Sequence, residues 1–574
     1  PLSVVLIMPL ACPRATRRAG SSMSSSLVLA ALSLLAHTAA FAPAPLASSA
    51  RGLLRPVCLR TPPSLGLRMV AVEPERAVAS KVALVSLGCP KNVVDAEVML
   101  GDLQKKGFKV VRKPRDADVV IVNTCAFIDT AREESVRAVL EALELKEGSG
   151  NDVKGVVVTG CMAQRYAEEL VIEMPELDAV MGFESYAQIA PQIGEIVERS
   201  GMMMPTVMVG DTDVPFRPEW ERVRLTQQHA AFLRVAEGCN HKCTFCAIPT
   251  WRGSFRSKPF DSILEEARQL SLQGVTELNL IAEDTNQWGS DWGETDPRRL
   301  SDLLWALDGL EGIRRISLLY CYPSYFSEEL IDAIANIDKV CKYVDIPLQH
   351  ISDRMLKAMQ RPSGKHTREL LTKLRARIPG LVLRTTFITG FPGENDEDHA
   401  EMVQYMTDMG FERAGVFAYS PEEGTPAASM PNQIPDEVKE ARRDQLMMLV
   451  QRAQRKFARD QVGKTLEVVI DGPGEGGFGS VGRTRADCPD IDCVVHLPHT
   501  FKEGTYVEAK ISDTYDFDLV GTVESEEVTP TPEEADAILS AAAGHTPEAL
   551  GGQTQARRRA SEAAPPKASP RRAA

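Results

Sequence analysis

The 574-residue chain contains no apolar run approaching the roughly 20 residues that a membrane-spanning helix needs. That excludes a helical integral membrane protein. Twelve cysteines in such a length are too sparse for a disulfide scaffold. Positive charge is also short: 65 Lys and Arg stand against 79 Asp and Glu, for a formal net charge of −14. A general nucleic-acid binder normally carries the opposite balance. Small molecules, metals and basic proteins are the partners this charge leaves. What is present, 44% hydrophobic and 25% charged residues, suffices for two to four domains with real cores.

The two ends read differently from the middle. Met23 suits a start, and Leu27 to Ala36 has the length of a signal-peptide core. From Phe41 to Met69 the chain is rich in Ala, Ser, Pro and Arg and has no acidic residue. A cleavable signal followed by an acid-free stretch reads as two addresses in series. The Ala40-Phe41-Ala42-Pro43 junction resembles the bipartite plastid leader of algae with secondary red plastids. A plain secretory signal, another organelle and the cytoplasm are the alternatives. After about Val528 the composition is Ala, Pro, Arg and Glu with almost no large apolar residue, as expected of a disordered tail.

Three apolar strands each run into a cysteine: Val82 to Cys89, Val119 to Cys125 and Val156 to Cys161. Helix-like segments, Val93 to Lys106 and Ala131 to Leu145, separate them, and successive cysteines are 36 residues apart. Continuous Val/Ile runs alternating with helices predict an open parallel sheet covered on both faces. All three thiols then fall just past the carboxyl ends of the strands, the edge where such sheets bind ligands. Buried core cysteines are the bland alternative. A zinc site would want a fourth ligand, and this region has no histidine. Three thiolates with one metal position open suit a [4Fe–4S] cluster.

A second triplet, Cys239, Cys243 and Cys246, forms CxxxCxxC in a tight loop after the apolar run Phe232 to Ala236. Three close cysteines can hold three corners of a cubane and leave the fourth iron for a substrate. Zinc is the competing reading, with His241 as the local candidate for a fourth ligand. Strand and helix patterns then alternate, with strands near Glu277–Ala282, Ile316–Leu319, Tyr343–Pro347, Leu381–Thr389 and Ala414–Tyr419. They predict a partial (β/α) barrel whose strand ends face the loop.

From about Gly463 to Thr522 the pattern changes to five short strands with glycine turns, a small β-barrel of the oligonucleotide-binding type. Asp460 to Thr522 holds twelve acidic residues, among them Asp487, Asp490, Asp492, Asp513, Asp516 and Asp518, against five basic ones. Such a face would repel a phosphate backbone and attract a basic protein. An ordinary solvated acidic surface is the alternative. Cys488 and Cys493 read as incidental, and Cys321 and Cys341 as core thiols.

From about Lys81 to Thr522 the chain resembles the radical S-adenosylmethionine (SAM) methylthiotransferases. The motifs are Ser86-Leu-Gly-Cys-Pro-Lys-Asn92, Asn123-Thr-Cys125, Thr159-Gly-Cys161, the CxxxCxxC loop, Ile346-Pro-Leu-Gln-His-Ile351, Gly390-Phe-Pro-Gly-Glu394 and Tyr419-Ser-Pro-Glu-Glu-Gly-Thr425. The first-cysteine motif Gly88-Cys-Pro-Lys-Asn92 and the segment Asp487 to Asp492 are most similar to the branch that modifies an aspartate of ribosomal protein S twelve. The tRNA-modifying branch, acting on a modified adenosine, typically carries Gly-Cys-Gln-x-Asn and is the alternative. Two departures stand out. Glu283 occupies a position where the family leads one to expect glutamine, and Cys488 and Cys493 stand where Ala and Gly are expected.

The resemblance implies an α/β chain in segments: a leader over 1–79, an N-terminal cluster domain over 80–195, a linker over 196–227, a radical SAM domain over 228–458, a TRAM barrel over 459–523 and a tail over 524–574. It implies two [4Fe–4S] clusters and SAM. Cys239, Cys243 and Cys246 would hold the cluster that makes the 5′-deoxyadenosyl radical from one SAM. Cys89, Cys125 and Cys161 would hold the one that carries sulfur, methylated by a second SAM. Gly390, Gly393 and Glu394 would lie near the adenine, although a plain strand-to-helix turn explains those glycines equally well. The implied partners are ribosomal protein S twelve or the small ribosomal subunit and an electron donor such as ferredoxin or flavodoxin, with tRNA and membranes not expected. An aspartate β-C–H is unactivated, so no side-chain base near neutral pH could remove its proton. A cofactor-borne radical is the physical alternative. Both clusters need a reducing setting, which favours the plastid stroma over secretion.

Overall fold

The computed structural model describes residues 80–147, 153–199 and 204–523. The leader and tail expected at the two ends lie outside these residues. Three bodies follow one another along the chain.

The first is a six-stranded, wholly parallel sheet in the order β2-β1-β3-β4-β5-β6. Its strands are β1 Lys81–Ser86, β2 Lys109–Val110, β3 Val119–Thr124, β4 Gly155–Gly160, β5 Ala179–Met181 and β6 Thr206–Met208. Strands β3 and β4 are buried at every position, so helices cover both faces and the Val/Ile runs need no polar alternation. The sequence patterns locate β1, β3 and β4. They miss β2, β5 and β6, which are only two or three residues long. Segment 196–227, read as a linker, therefore carries the last strand of this sheet, and it also buries Glu219 and Arg222.

The second body is the expected partial barrel. Six parallel strands lie in chain order: β7 Ala230–Arg234, β10 Glu277–Ile281, β11 Arg315–Leu318, β12 Val340–Asp345, β13 Val382–Thr389 and β14 Arg413–Ala418. A short antiparallel pair, β8 Ala236–Glu237 and β9 Arg256–Ser257, brackets the CxxxCxxC loop. The third body is a closed five-stranded barrel of β15 Thr465–Pro473, β16 Ser480–Arg483, β17 Val495–Leu497, β18 Tyr506–Tyr515 and β19 Asp518–Thr522. Closure removes the free edges that five short strands would otherwise expose.

The small barrel docks on the amino ends of the central strands. Arg483 pairs with Glu277, the first residue of β10, at 2.9 Å and with Asp471 at 2.8 Å. Arg315, the first residue of β11, meets Glu467 at 2.9 Å, and Arg413, the first of β14, meets Asp487 at 2.5 Å. The Tyr343 hydroxyl donates to Asp492 at 2.7 Å. Cys488, with Ala486 and Ile491 beside it, packs on Cys341, Tyr343 and Val382 inside the central body. This corrects the reading of the whole acidic surplus as a partner-facing surface. Asp487 and Asp492 are spent on holding the domains together, at the end of the central body away from the cysteine loop.

Candidate functional site

Parallel register carries the first three cysteines to one place. Thr124 pairs with Gly160 across β3 and β4, so Cys125 and Cys161 are the next residues on neighbouring strands. Ser86 pairs with Asn123, and Cys89 follows β1 as the residue capping the helix Pro90–Lys105. Gly88 and Gly160 make the turns at φ +88° and +91°. A Cβ at Gly88 would stand 2.8 Å from the Cys125 Cβ, and one at Gly160 would stand 2.4 Å from the Thr124 carbonyl oxygen. Only glycine fits either turn.

The polar residues of the same motifs form the floor. Asn92 donates from Nδ2 to the carbonyls of Leu87 at 3.1 Å and Thr124 at 2.9 Å. Its Oδ1 accepts from the Cys161 thiol at 3.5 Å and from Arg252 at 2.6 Å. Asn123 Nδ2 donates to the Asn92 carbonyl at 2.7 Å, and Ser135 donates to the Cys125 carbonyl at 2.9 Å. One asparagine thus ties together the segments that carry all three cysteines. Burial pushes the Cys125 thiol well above the usual range, aided by Cys161 and Cys89 beside it. Burial likewise takes Cys161 to about 11, although Arg252 pulls the other way.

The second triplet sits at the carboxyl ends of the central strands. Gly238, at φ +75°, opens the loop where a Cβ would lie 2.1 Å from the Ser254 carbonyl oxygen. Main-chain bonds hold the loop: Cys239 N to Gly253 O at 3.1 Å, Thr244 N to Met359 O at 3.2 Å and Cys246 N to Cys243 O at 3.1 Å. Arg361 lies 3.8 Å from the Cys243 sulfur and stacks over Tyr322. Burial raises Cys239 to about 12, with Cys243 nearby, and raises Cys246 to about 12 in the same way. His241 is otherwise engaged: its Nε2 is 2.7 Å from Asp284 and its ring stacks on Tyr322 at 3.7 Å. Among the described residues no three His, Cys, Asp or Glu side chains converge on a single-ion site. Both triplets instead offer three soft sulfur donors with no fourth protein ligand, the donor set of a cubane with one open iron.

Between the triplets lie residues to which the sequence patterns assign no role. Arg252 follows the CxxxCxxC loop by six residues. It reaches Asn92, Asp95 at 3.0 Å, Glu237 at 3.5 Å and the Cys161 sulfur at 3.7 Å. Lys91 crosses from the first body to the second, donating to the Ala282 carbonyl at 3.4 Å and lying 3.4 Å above the Tyr320 ring. Glu283 is half-buried. Burial first and Glu237 second raise its carboxyl to about 7, against Lys91 and Arg252. Deeper in the interface Arg234 bonds Asp95 at 2.7 Å and also Glu219 and Glu237, and Lys258 bonds Glu219 at 2.9 Å and also Glu266. The two cysteine-bearing bodies are locked by buried charge.

The glycine turn after β13 also has a packing role. A Cβ at Gly390 would meet Lys439 Cγ at 2.3 Å, so that glycine admits the helix Asp436–Arg459. Glu394 faces inward. It accepts from the Gly390 amide at 2.8 Å and from Arg442 at 2.8 Å, with His350 at 3.4 Å. Burial opposes its charge, but His350, Arg442 and the Gly390 amide hold its carboxyl below the ordinary range. A Cβ at Gly393 would meet only Arg354, at 3.9 Å, so its backbone conformation at φ +82° alone calls for glycine.

Comparison with known proteins agrees with this division. Residues 81–182 match the uncharacterized protein family UPF0004, residues 233–406 the radical SAM superfamily and residues 462–523 the TRAM domain. Radical SAM proteins use a [4Fe–4S] cluster and SAM. The chain is 44% identical over 452 residues to the ribosomal protein uS12 methylthiotransferase RimO of Geotalea uraniireducens, spanning 78% of this chain and 99% of that one. It is 41% identical to the protein of that name in Akkermansia muciniphila over 76% and 98% of the two chains. For the one in Clostridioides difficile the identity is 42% over 77% and 98%. Among solved structures, the radical SAM methyltransferase TsrM of Kitasatospora setae aligns at a TM-score of 0.40 and 17% identity, over 61% of this chain and 77% of that one. With more than two-fifths of residues shared across nearly the full length of such relatives, the chain belongs to the RimO family of radical SAM methylthiotransferases.

Proposed function

We propose that this protein adds a methylthio group to the β-carbon of an aspartate in ribosomal protein uS12, using two [4Fe–4S] clusters and two molecules of SAM. The observation that carries the reading is the pair of three-thiol sites, one at the strand ends of each body, with Lys91, Arg252 and Glu283 between them. Cys239, Cys243 and Cys246 would hold the cluster that binds SAM, and Cys89, Cys125 and Cys161 the second cluster. When bound, these groups supply the one-electron chemistry that removes an unactivated hydrogen and the sulfur that replaces it. The chain's part is placement. Asn92 fixes the three segments of the first site relative to one another, and the β8–β9 pair fixes the loop of the second. Burial raises the thiols of Cys125, Cys161, Cys239 and Cys246, which would give up their protons as iron binds. Against that burial, Arg252 favours the thiolate of Cys161 and Arg361 that of Cys246.

The substrate is a protein side chain, not a tRNA base, in keeping with the names of the relatives and with the net charge of −14. An electron donor such as ferredoxin or flavodoxin completes the cycle. The acid-free leader supports delivery to a plastid, where a reducing stroma would preserve both clusters. The test is an anaerobic assay of the reconstituted protein with SAM, sulfide and reductant, offering a uS12 peptide and bulk tRNA together. A gain of one methylthio group on the peptide aspartate, with tRNA unchanged, is the expected result. A gain on tRNA alone overturns the substrate and leaves the two-cluster chemistry standing.

A further inference from the structure

The buried cations of the interface are not alike. Arg234 meets Asp95, Glu219 and Glu237; Lys258 meets Glu219 and Glu266; Arg252 meets Asp95 and Glu237. Lys91 is as deeply buried, only 6% exposed, but among the described residues its ammonium makes no ion pair. Its contacts are one long hydrogen bond, 3.4 Å to the Ala282 carbonyl, and the face of Tyr320. An ammonium has three donors, and this one fills a single long bond. Burial opposes its charge while Tyr320, Cys89 and Glu283 favour it without bonding to it, so an arriving carboxylate finds donors free.

Position supports the same conclusion. Lys91 is two residues from Cys89, and Ala282 and Tyr320 follow β10 and β11 at the carboxyl ends that also carry the Cys239 loop. The ammonium therefore lies between the triplets, where a substrate's reacting carbon must come. Across the same space Glu283 has its Oε2 shielded from solvent without a hydrogen-bond partner, and Tyr320 is held at φ +61°, a conformation non-glycine residues adopt only when their surroundings enforce it.

We propose that Lys91 receives the carboxylate of the target aspartate and so sets the specificity of this site for an acidic side chain. The inference rests on the function proposed above. The aspartate β-carbon is bonded directly to its carboxyl carbon, so anchoring the carboxylate fixes the β-carbon to within one bond length of a defined point. Glu283 on the facing side makes Lys91 the acceptable end of the space for a second carboxylate. An asparagine of the same shape could accept from the ammonium but would bring no charge to it, and it would lose the charge-assisted part of the bond.

The experiment measures binding of fluorescently labelled uS12 peptides carrying Asp or Asn at the target position to the anaerobic, cluster-loaded protein. The wild-type protein should prefer Asp by about 10- to 100-fold, the worth of one charge-assisted hydrogen bond. Lys91→Met should bring that ratio to about one, and Lys91→Arg, which keeps the charge, should retain most of it. Thermal unfolding and iron content report whether the variants fold. If Lys91→Met keeps the wild-type Asp preference, or loses SAM affinity while keeping it, the assignment is overturned even though the peptide is modified. A wild-type protein that binds both peptides equally overturns it too. Failure of the proposed function shows differently, as no mass gain on the wild-type reaction's peptide.

Discussion

The two cysteine sites of this chain are built by opposite strategies. One gathers Cys89, Cys125 and Cys161 from three strands, over 72 residues of sequence, and holds them by parallel register and one asparagine. The other takes Cys239, Cys243 and Cys246 from a single loop pinned by a two-rung β pair. A distributed site exists only when its sheet is formed, whereas a local one needs little more than its loop. The difference predicts that damage to the fold should separate the two activities.

The largest separation should come from the cysteines themselves. Cys243→Ala should abolish formation of 5′-deoxyadenosine and hence all product. Cys125→Ala should spare deoxyadenosine and abolish sulfur insertion. Chromatography of nucleosides and mass spectrometry of the peptide read both, and intact sulfur insertion in Cys125→Ala would sink the division of labour.

Arg252 is where the two strategies meet, and its removal should blur the comparison. Arg252→Met leaves Asp95 and Glu237 buried without one of their cations and takes a donor from Asn92. The expected cost is about 3–5 kcal/mol, seen as a lower Tm with iron lost from both sites. Iron loss confined to the second site would mean that the interface does not couple them.

A subtler lesion should resolve them again. Gly160→Ala places a methyl 2.4 Å from the Thr124 carbonyl oxygen and forces alanine to φ +91°. Strain of about 1–3 kcal/mol should fall on the turn before Cys161 alone. Iron per chain should drop toward half while deoxyadenosine formation survives. Equal loss at both sites would show that the first body is not an independent unit.

How much of this was legible in the sequence follows the same contrast. The local site could be read directly, since spacing alone places Cys239, Cys243 and Cys246 together. The distributed site was legible because each strand is an unbroken Val/Ile run ending on its cysteine, so register could be inferred from pattern. Arg252 gave no such signal, and Lys91 and Glu283 stood out only as part of a motif and as a departure from one, with no role attached. Their roles arise where two domains pack, and nothing in local periodicity marks a residue that will face another domain. Charge counting failed in the small barrel for that reason too: Asp487 and Asp492 look like surface acids until Arg413 and Tyr343 are brought against them. Short strands such as β5 and β6 escaped because three residues carry no period.

The smallest effect should come from Glu283, which stands between the two sites in place of the glutamine the family resemblance leads one to expect. Burial and Glu237 raise its carboxyl from an ordinary 4.5 to about 7. The folded protein therefore holds this proton over a pH range where the unfolded chain has released it. Stability from that proton is fully present below about pH 4.5 and is lost as pH rises through about 7. Glu283→Gln is neutral throughout and carries no such loss. The variant should match the wild type near pH 5 and exceed it near pH 8, by on the order of 1 kcal/mol once partial exposure is allowed for, or about one to a few degrees in Tm. Melting the iron-free protein across that range reads the difference without any contribution from a cluster. A gap that stays constant with pH would mean that Lys91 and Arg252 already keep Glu283 ionised. The space between the two sites would then be balanced in charge before any substrate arrives.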